Sequence, residues 1–289
     1  MGLSGRDVMT SISDSDAFLN SQRILPQHQS AIQILMNILA NPKMENVTWL
    51  DLACGKGQIL SQLQLNLREE ARNKVNYVGF DLNVEFGRLT ERVARQLLFR
   101  TTHIEYGELE NFSAIVRRQS FDFITLTNTL HEIAPLMVPT ILLDCIDHLS
   151  ADGVLYVYDM ESLQPPELGA VPWKCSEIQA ILDSLLSAMG MKAYRPFAAT
   201  WAHSKIQGWS FLIDKKLILA ELSATPYRED ATKLANEKVI EILERRRSEC
   251  HSALESLTRF GATTEKESGQ KVDLLYEYWS VQLALESSR

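Results

Sequence analysis

The stretch Val47-Thr-Trp-Leu-Asp51-Leu-Ala-Cys-Gly55-Lys-Gly57-Gln constrains the fold of this chain more than any other segment. An apolar strand runs into an acid and then into two glycines spaced G-x-G, after which Ile59, Leu60, Leu63 and Leu67 recur at helical spacing. The pattern predicts a strand, a tight turn and a helix. Glycines serve such a turn because it takes unusual φ/ψ, and because a cofactor has to lie against bare backbone at the strand's carboxyl end. A second apolar strand, Val75 to Phe80, ends in Asp81. A carboxylate at a second strand tip is what holds the two ribose hydroxyls of a nucleoside.

Two other nucleotide folds fit less well. A dehydrogenase fingerprint wants a third glycine three residues after the second, where this chain has Leu60. A phosphate-cradling P-loop needs G-x-x-x-x-G-K-[ST], and Gly55-Lys56 has neither the earlier glycine nor a following Ser or Thr.

Length and composition bound the rest. With 289 residues, 45% of them hydrophobic, the chain has room for one large domain or a core with substantial additions. Its longest apolar runs, Ala31 to Ala40 and Ile133 to Leu143, are too short or too interrupted to span a bilayer, and the chain does not open on a basic segment followed by an apolar one. A soluble, cytoplasmic protein without membrane association is expected. Cys54, Cys145, Cys175 and Cys250 are scattered without C-x-x-C spacing, so neither a disulfide framework nor a zinc site is predicted. The formal net charge of −8 disfavours non-specific attraction to nucleic acid. Arg245-Arg246-Arg247 is the only cationic run; it reads either as a solvated helix face balanced by Glu241, Glu244 and Glu249 or as a local contact patch.

Along the chain, residues 1–18 lack periodicity, and Gln29 to Leu39 after Pro26 reads as an amphipathic helix. Strands and helices then alternate. Ser176 is the expected N-cap of a helix bearing Ile178, Ile181, Leu182, Leu185 and Met189 and closed by Gly190. Lys192 to Trp201 and Trp209 to Asp214 read as adjacent strands. Thr225-Pro226 opens a helix whose stripe of Ala231, Leu234, Ala235, Val239, Ile242, Leu243, Cys250, Leu254 and Leu257 runs to Gly261, interrupted by Arg246 with its stem along apolar surface. A stripe of that length must be covered, by the acceptor pocket, the N-terminal helix or a dimer interface. Ala262 to Gly269 reads as a polar linker, and Val272 to Leu285 carries both strand and helix signals, with helix preferred.

On these residues the chain resembles the class I S-adenosylmethionine-dependent methyltransferases. Their first motif is an acid followed by G-x-G-x-G; Asp51, Ala53, Gly55 and Gly57 match it, with alanine in place of the first glycine. Gly107-Glu108-Leu109 ends a third strand, Phe121 to Glu132 forms a fourth with Asn128, Leu130 and His131 at its tip, and Leu149 to Asp159 a fifth, in the family's order. The resemblance covers roughly residues 45–214. It implies an α/β fold: a Rossmann-like sheet with helices on both faces, an N-terminal helical cap over residues 1–44, a methyltransferase core over 45–214 and a mainly helical C-terminal extension over 215–289.

The resemblance also implies S-adenosyl-L-methionine as cofactor and S-adenosyl-L-homocysteine as product. Asp51 stands where the family binds the methionine amino group, and the backbone of Ala53, Gly55 and Gly57 lets the methionine come close. Asp81 takes the ribose hydroxyls, Leu82 packs on adenine, Glu108 accepts from the adenine amino group, and Leu109 N–H donates to the ring. Asn128 to Leu130 face the sulfonium methyl.

His131-Glu132 follow where the acceptor would lie, and a neutral imidazole there can remove a proton from a hydroxyl, thiol or ammonium group. The alternative is that His131 only shapes the pocket. Asp159 and Glu161 leave the fifth strand on the same edge as Glu132, yet Asn128 stands where metal-dependent relatives carry an acid, so no catalytic metal is expected. Proline-rich Ser162 to Trp173, with a tryptophan that looks exposed, is expected to wall the acceptor pocket. The expected function is methyl transfer to a small molecule at O, N or S. The alternatives are a methyltransferase-like interaction module, docking a second copy or a protein partner through residues 215–289, and an RNA methyltransferase that uses Arg245 to Arg247.

Overall fold

The computed structural model describes residues 26–117, 119–163, 165–190, 195–203, 206–218, 225–260 and 264–287. Helix α1 (Pro26–Leu39) buries Ala31, Ile32, Leu35 and Leu39, the i, i+4 and i+8 pattern of one helix face, and folds tightly into strand β1 (Val47–Leu52). Two turn bonds make that connection, Asn41 N–H to the Ile38 carbonyl at 3.1 Å and Met44 N–H to the Asn41 carbonyl at 3.0 Å. Helices α2 (Gln58–Asn66) and α3 (Glu69–Arg72) lead to β2 (Val75–Asp81), helix α4 (Val84–Gln96) and β3 (Thr101–Tyr106). Asn83 caps α4 by accepting the Glu85 and Phe86 N–H groups. After the short helix α5 (Phe112–Val116) come β4 (Phe121–Thr127), α6 (Val138–Asp147), β5 (Leu149–Met160), α7 (Cys175–Ala188), β6 (Phe197–His203), β7 (Ile206–Asp214), α8 (Thr225–Phe260) and α9 (Glu265–Glu286).

The strand order is β3-β2-β1-β4-β5-β7-β6. β1 pairs in parallel with β2 and β4, β2 with β3, and β6 antiparallel to β7, so the sheet is the mixed, Rossmann-like one expected. Asp51 lies level with Gly79 on one neighbour and Thr125 on the other, at the carboxyl ends of the strands. The chain divides into two compact units, one of Met1–Leu126 with His148–Tyr156, the other of Thr127–Asp147 with Val157–Arg289.

Several expectations change. The fourth strand stops at Thr127 rather than reaching Glu132, because Asn128 takes φ +54° and turns the chain. Lys174, not Ser176, caps α7; the Glu177 carboxylate accepts its N–H at 2.9 Å, and Gly190 with φ +85° ends the helical run. From Glu265 to Gly269 the polar linker is instead the start of α9: Thr264 Oγ1 accepts the Glu267 N–H while Glu267 Oε2 accepts the Thr264 N–H, a reciprocal cap the T-x-x-E spelling contains. The segment 272–285 is helical. Residues 1–18 and Lys192 to Tyr194 lie outside the described residues.

Most of the stripe of α8 is covered from within the second unit, with Leu234 left exposed and Leu254 and Leu257 half-buried. Ala231, Ala235, Val239, Ile242 and Leu243 are buried, and α8 packs against α6, α7 and α9. Arg228 near its start pairs with Asp144 and Asp147 of α6. Arg246, expected to lay its stem along the surface, is only 4% exposed: its guanidinium meets Glu277 of α9 at 2.7 Å and donates to the Pro172 carbonyl at 2.8 Å. Arg245 pairs with Glu177 at 3.3 Å. The cationic run is therefore not a three-cation patch: Arg246 is buried, whereas Arg245 stays exposed within 3.8 Å of Glu249, as on a solvated face. Among the described residues no helix is long and apolar enough to cross a membrane.

Candidate functional site

In the first unit, three strand tips are tied together by their own backbone. Ala53, Gly55 and Gly57 all take left-handed φ, of 52°, 55° and 75°. The alternation swings the chain around and leaves Gly55 N–H to donate to Asp81 Oδ2 at 2.7 Å, while Thr90 Oγ1 donates to the Gly55 carbonyl at 2.7 Å. Asp81 Oδ1 accepts the Asn83 N–H at 2.8 Å, and the Asp81 carbonyl accepts from Gly107 N–H at 3.2 Å. Thus Asp51, Ala53, Gly55, Gly57 and Asp81 sit on one connected scaffold, and Gly107 brings Glu108 and Leu109 to its end. Glu108 is exposed and Leu109 half-buried. Leu82 is 62% exposed, a bare apolar side chain directly after the β2 tip.

Alanine at position 53 is tolerated because the left-handed region costs a non-glycine residue roughly 1–2 kcal/mol, against which alanine saves part of glycine's larger folding entropy. Gly57 has no such latitude. A Cβ there would lie 3.3 Å from both Cα and Oγ1 of Thr90, on top of its φ of 75°. Gly57→Ala is expected to destabilise the protein by roughly 1–3 kcal/mol, read as a lower urea midpoint at unchanged slope. An unchanged midpoint would show that the turn can relax.

Asp51 is buried, and each of its oxygens accepts one hydrogen bond. Thr125 Oγ1 donates to its Oδ1 at 2.6 Å, Tyr77 OH to its Oδ2 at 2.9 Å, and Trp49 Nε1–H to the Thr125 oxygen at 2.8 Å. Burial pushes its carboxyl up to about 6, opposed by the Thr125 and Tyr77 hydrogen bonds, with the charge of Asp81 adding to the rise. Burial also raises Asp81, against the N–H groups of Asn83 and Gly55. Tyr77 and Thr125 were not foreseen as parts of this site; both stand level with Asp51 or close to it on the strands that flank β1, which strand alignment alone could have indicated.

In the second unit, Asn128 N–H donates to the Tyr158 carbonyl at 2.9 Å, which joins the β4 tip to β5. Its side-chain Oδ1 is buried with no partner. Leu130 is fully buried. His131 is buried and gripped by Asp159 at two points, Nδ1 to Oδ1 at 2.8 Å and backbone N–H to Oδ2 at 3.0 Å. Met160 N–H donates to Asp159 Oδ1 at 2.7 Å, and Asp159 is completely enclosed. With Nδ1 bound to a carboxylate, Nε2 is the nitrogen left for chemistry; Glu132, largely exposed, comes within 3.7 Å of it. Burial works to lower the His131 pKa, but the hydrogen bond and charge of Asp159, with Glu132 and Glu167 adding, hold it above 6.5. Glu161 turns away to accept the Cys175 N–H at 3.0 Å. Among the described residues no group of His, Cys, Asp and Glu side chains could hold a metal ion.

The proline-rich segment differs from expectation at its tryptophan. Trp173 is completely buried, and its carbonyl accepts Trp209 Nε1–H at 2.6 Å. Val171 N–H donates to the His131 carbonyl at 2.8 Å, and Gly169 N–H to Ser280 Oγ of α9 at 2.9 Å. Asp159, expected only as one of two acids leaving the fifth strand on the edge of Glu132, is instead the partner of His131.

Comparison with known proteins follows the geometry. The sequence model of a family described as "Methyltransferase domain" matches residues 43–208. No curated protein matches. Among solved structures, the chain is similar to the magnesium protoporphyrin IX methyltransferase of Synechocystis PCC 6803 with bound SAH, at 10% identity and a TM-score of 0.50, over 71% of this chain and 94% of that one. It is similar to the CurJ carbon methyltransferase at 15% identity and a TM-score of 0.47, over 64% of this chain and 53% of that one, so it spans about half the length of that protein. The B. subtilis tRNA methyltransferase TrmK, at 12% identity and a TM-score of 0.44, is covered over 92% of this chain and 100% of that one. With a matched segment that takes up more than half of its length, and with this strand order, the chain belongs to the methyltransferase-domain family and is a class I S-adenosylmethionine-dependent methyltransferase.

Proposed function

We propose that the protein methylates a small molecule at O, N or S, with His131 as general base and Asp159 holding it. The observation that carries this reading is the enclosed His131–Asp159 pair, with Nδ1 committed at 2.8 Å. A carboxylate that no solvent reaches, spent on one imidazole, has a clear use if that imidazole must accept a proton at its other nitrogen. The cofactor supplies an activated methyl group on a sulfonium, so the protein's work is to position donor and acceptor and to move one proton.

On the donor side the residues fit the group. Each Asp81 oxygen accepts one N–H and keeps lone-pair capacity for one ribose hydroxyl. Leu82 offers apolar surface to adenine, and Glu108 and Leu109 complete the base contacts. Asp51, through the oxygen capacity that Thr125 and Tyr77 leave, takes the methionine amino group, over the backbone of Ala53, Gly55 and Gly57. Asn128, with its orphaned Oδ1, and Leu130, fully buried, are the positions that the family's pattern assigns to the methyl end of the donor. Glu132 lies on the acceptor side. Residues 45–214 act as the catalytic core and 215–289 as the extension, through which a second copy or a protein partner could attach. The four cysteines are all free, in keeping with a cytoplasmic setting. The RNA reading keeps only Arg245 and Arg247 of its three arginines, since Arg246 is buried against Glu277.

Calorimetry with S-adenosylhomocysteine tests the donor side. Asp81→Ala is expected to weaken binding by more than about tenfold, since two hydrogen bonds to a carboxylate at roughly 1.5–3 kcal/mol each are lost and the Gly55 N–H is released as well. Binding that survives the substitution would remove Asp81 from the ribose. Radiolabelled donor offered to fractionated lysate then identifies the acceptor; label recovered only in RNA would overturn the small-molecule reading.

A further inference from the structure

Helix α1 carries a histidine that its surroundings do not satisfy. His28 is only 3% exposed, and its Nδ1 is buried with no hydrogen-bond partner. It stands on the helix face that Ala31, Ile32 and Leu35 bury, the position of an apolar residue in a helix built only for packing. Burial lowers its pKa to about 4, so the ring is neutral near pH 7. A buried polar atom without a partner is rare in a native protein and calls for an explanation.

The topology says where that atom lies. The turn over Asn41 to Met44 is tight, so α1 ends beside the start of β1, and a helix that ends there and packs along α2 has its first turn toward the carboxyl ends of the strands, where α2 begins. Helix α2 begins at that same edge, directly after Gly57, and α1 packs against α2. His28 therefore belongs to the end of α1 nearest the turn that carries Asp51, Ala53, Gly55 and Gly57. A neutral imidazole with its proton on Nδ1 is a hydrogen-bond donor in search of an acceptor. The group at this end of the donor that has acceptor oxygens to offer is the α-carboxylate of its amino-acid portion.

We propose that His28 is a donor-binding residue whose Nδ1–H holds the amino-acid carboxylate of the bound cofactor, and that this bond completes a side chain left unpaired in the free protein. The inference rests on the donor-site reading given above. It makes an unusual pair of demands on one substitution. His28→Leu keeps the volume and removes the orphaned polar atom, so the ligand-free protein should melt about 2–4 °C higher. The same variant should bind S-adenosylhomocysteine roughly ten- to a hundredfold more weakly. His28→Asn, which places an N–H near the position of Nδ1, should recover most of that affinity.

The closing experiment titrates wild type, His28→Leu and His28→Asn with two ligands, S-adenosylhomocysteine and 5′-methylthioadenosine, which lacks the amino-acid end. The expected result is a loss confined to S-adenosylhomocysteine in His28→Leu. Equal losses for both ligands, or none, overturn the proposal, as does a His28→Leu protein that melts lower than wild type. Wild type that binds neither ligand overturns the donor-site reading itself, whereas wild type that binds both with His28→Leu unaffected overturns only the role of His28.

Discussion

Replacing His131 with alanine is expected to lower turnover at pH 7 by about a hundredfold or more while leaving the affinity for S-adenosylhomocysteine nearly unchanged. The expectation follows from what Asp159 does. Its Oδ1 fixes the ring through Nδ1, and its Oδ2 holds the His131 backbone, so the imidazole can neither rotate nor change tautomer without breaking a buried bond. A base works in its neutral form. Because Asp159 holds the His131 pKa above 6.5, turnover should rise with pH through an inflection above that value. Asp159→Asn removes the charge that raises the pKa, so the inflection should move to lower pH as the plateau falls. Turnover that survives His131→Ala would leave catalysis to positioning alone, and an equal loss of donor binding would make the residue structural.

Removing residues 224–289 is expected to abolish folding of the second unit rather than to release an intact core. Val239, Ile242 and Leu243 of α8 are buried, and fully burying side chains of this kind is worth about 1.5–3 kcal/mol each. Three of them approach the whole stability of an ordinary domain, about 5–15 kcal/mol. Glu177, buried on α7, would also lose both cations near it, Arg245 at 3.3 Å and Arg246 at 3.6 Å. Arg246→Ala removes one of those two cations together with its hydrogen bonds to Glu277 and the Pro172 carbonyl, while Arg245 stays beside Glu177; it is expected to destabilise by roughly 1–3 kcal/mol. A truncated protein that stays soluble, melts cooperatively and binds S-adenosylhomocysteine would show that the expectation is wrong.

The features that could be read in advance were those written in consecutive residues. The run from Val47 to Gln58 showed strand, turn and helix because period-2 and period-3.6 patterns meet at two glycines, and Asp81 showed itself as an acid closing a second strand. What escaped notice depends on partners far away in the chain. Trp173 looked exposed among prolines, yet it is enclosed beside Trp209. Arg246 looked like a surface cation because Glu277 belongs to a different helix. Asn128 was a sign passed over, since asparagine is among the few residues besides glycine that enter the left-handed region, and β4 ends on it. The Thr264–Glu267 cap is the reverse case, a local signal present in four residues and hidden by the polarity around it.

The cover of α7 arrives late in the life of each molecule. Its apolar face, with Ile178, Ile181, Leu182 and Leu185, leaves the ribosome before α8 exists to lie on it. At about 5–20 residues per second, the nascent chain carries that face bare for several seconds. The segment that touches the His131 carbonyl waits longer still, because Ser280, which accepts the Gly169 N–H, follows 111 residues later. Newly made chains therefore pass through a window in which a chaperone has something to hold, and termination within α9 before Ser280 yields a protein whose Gly169 N–H has lost its partner.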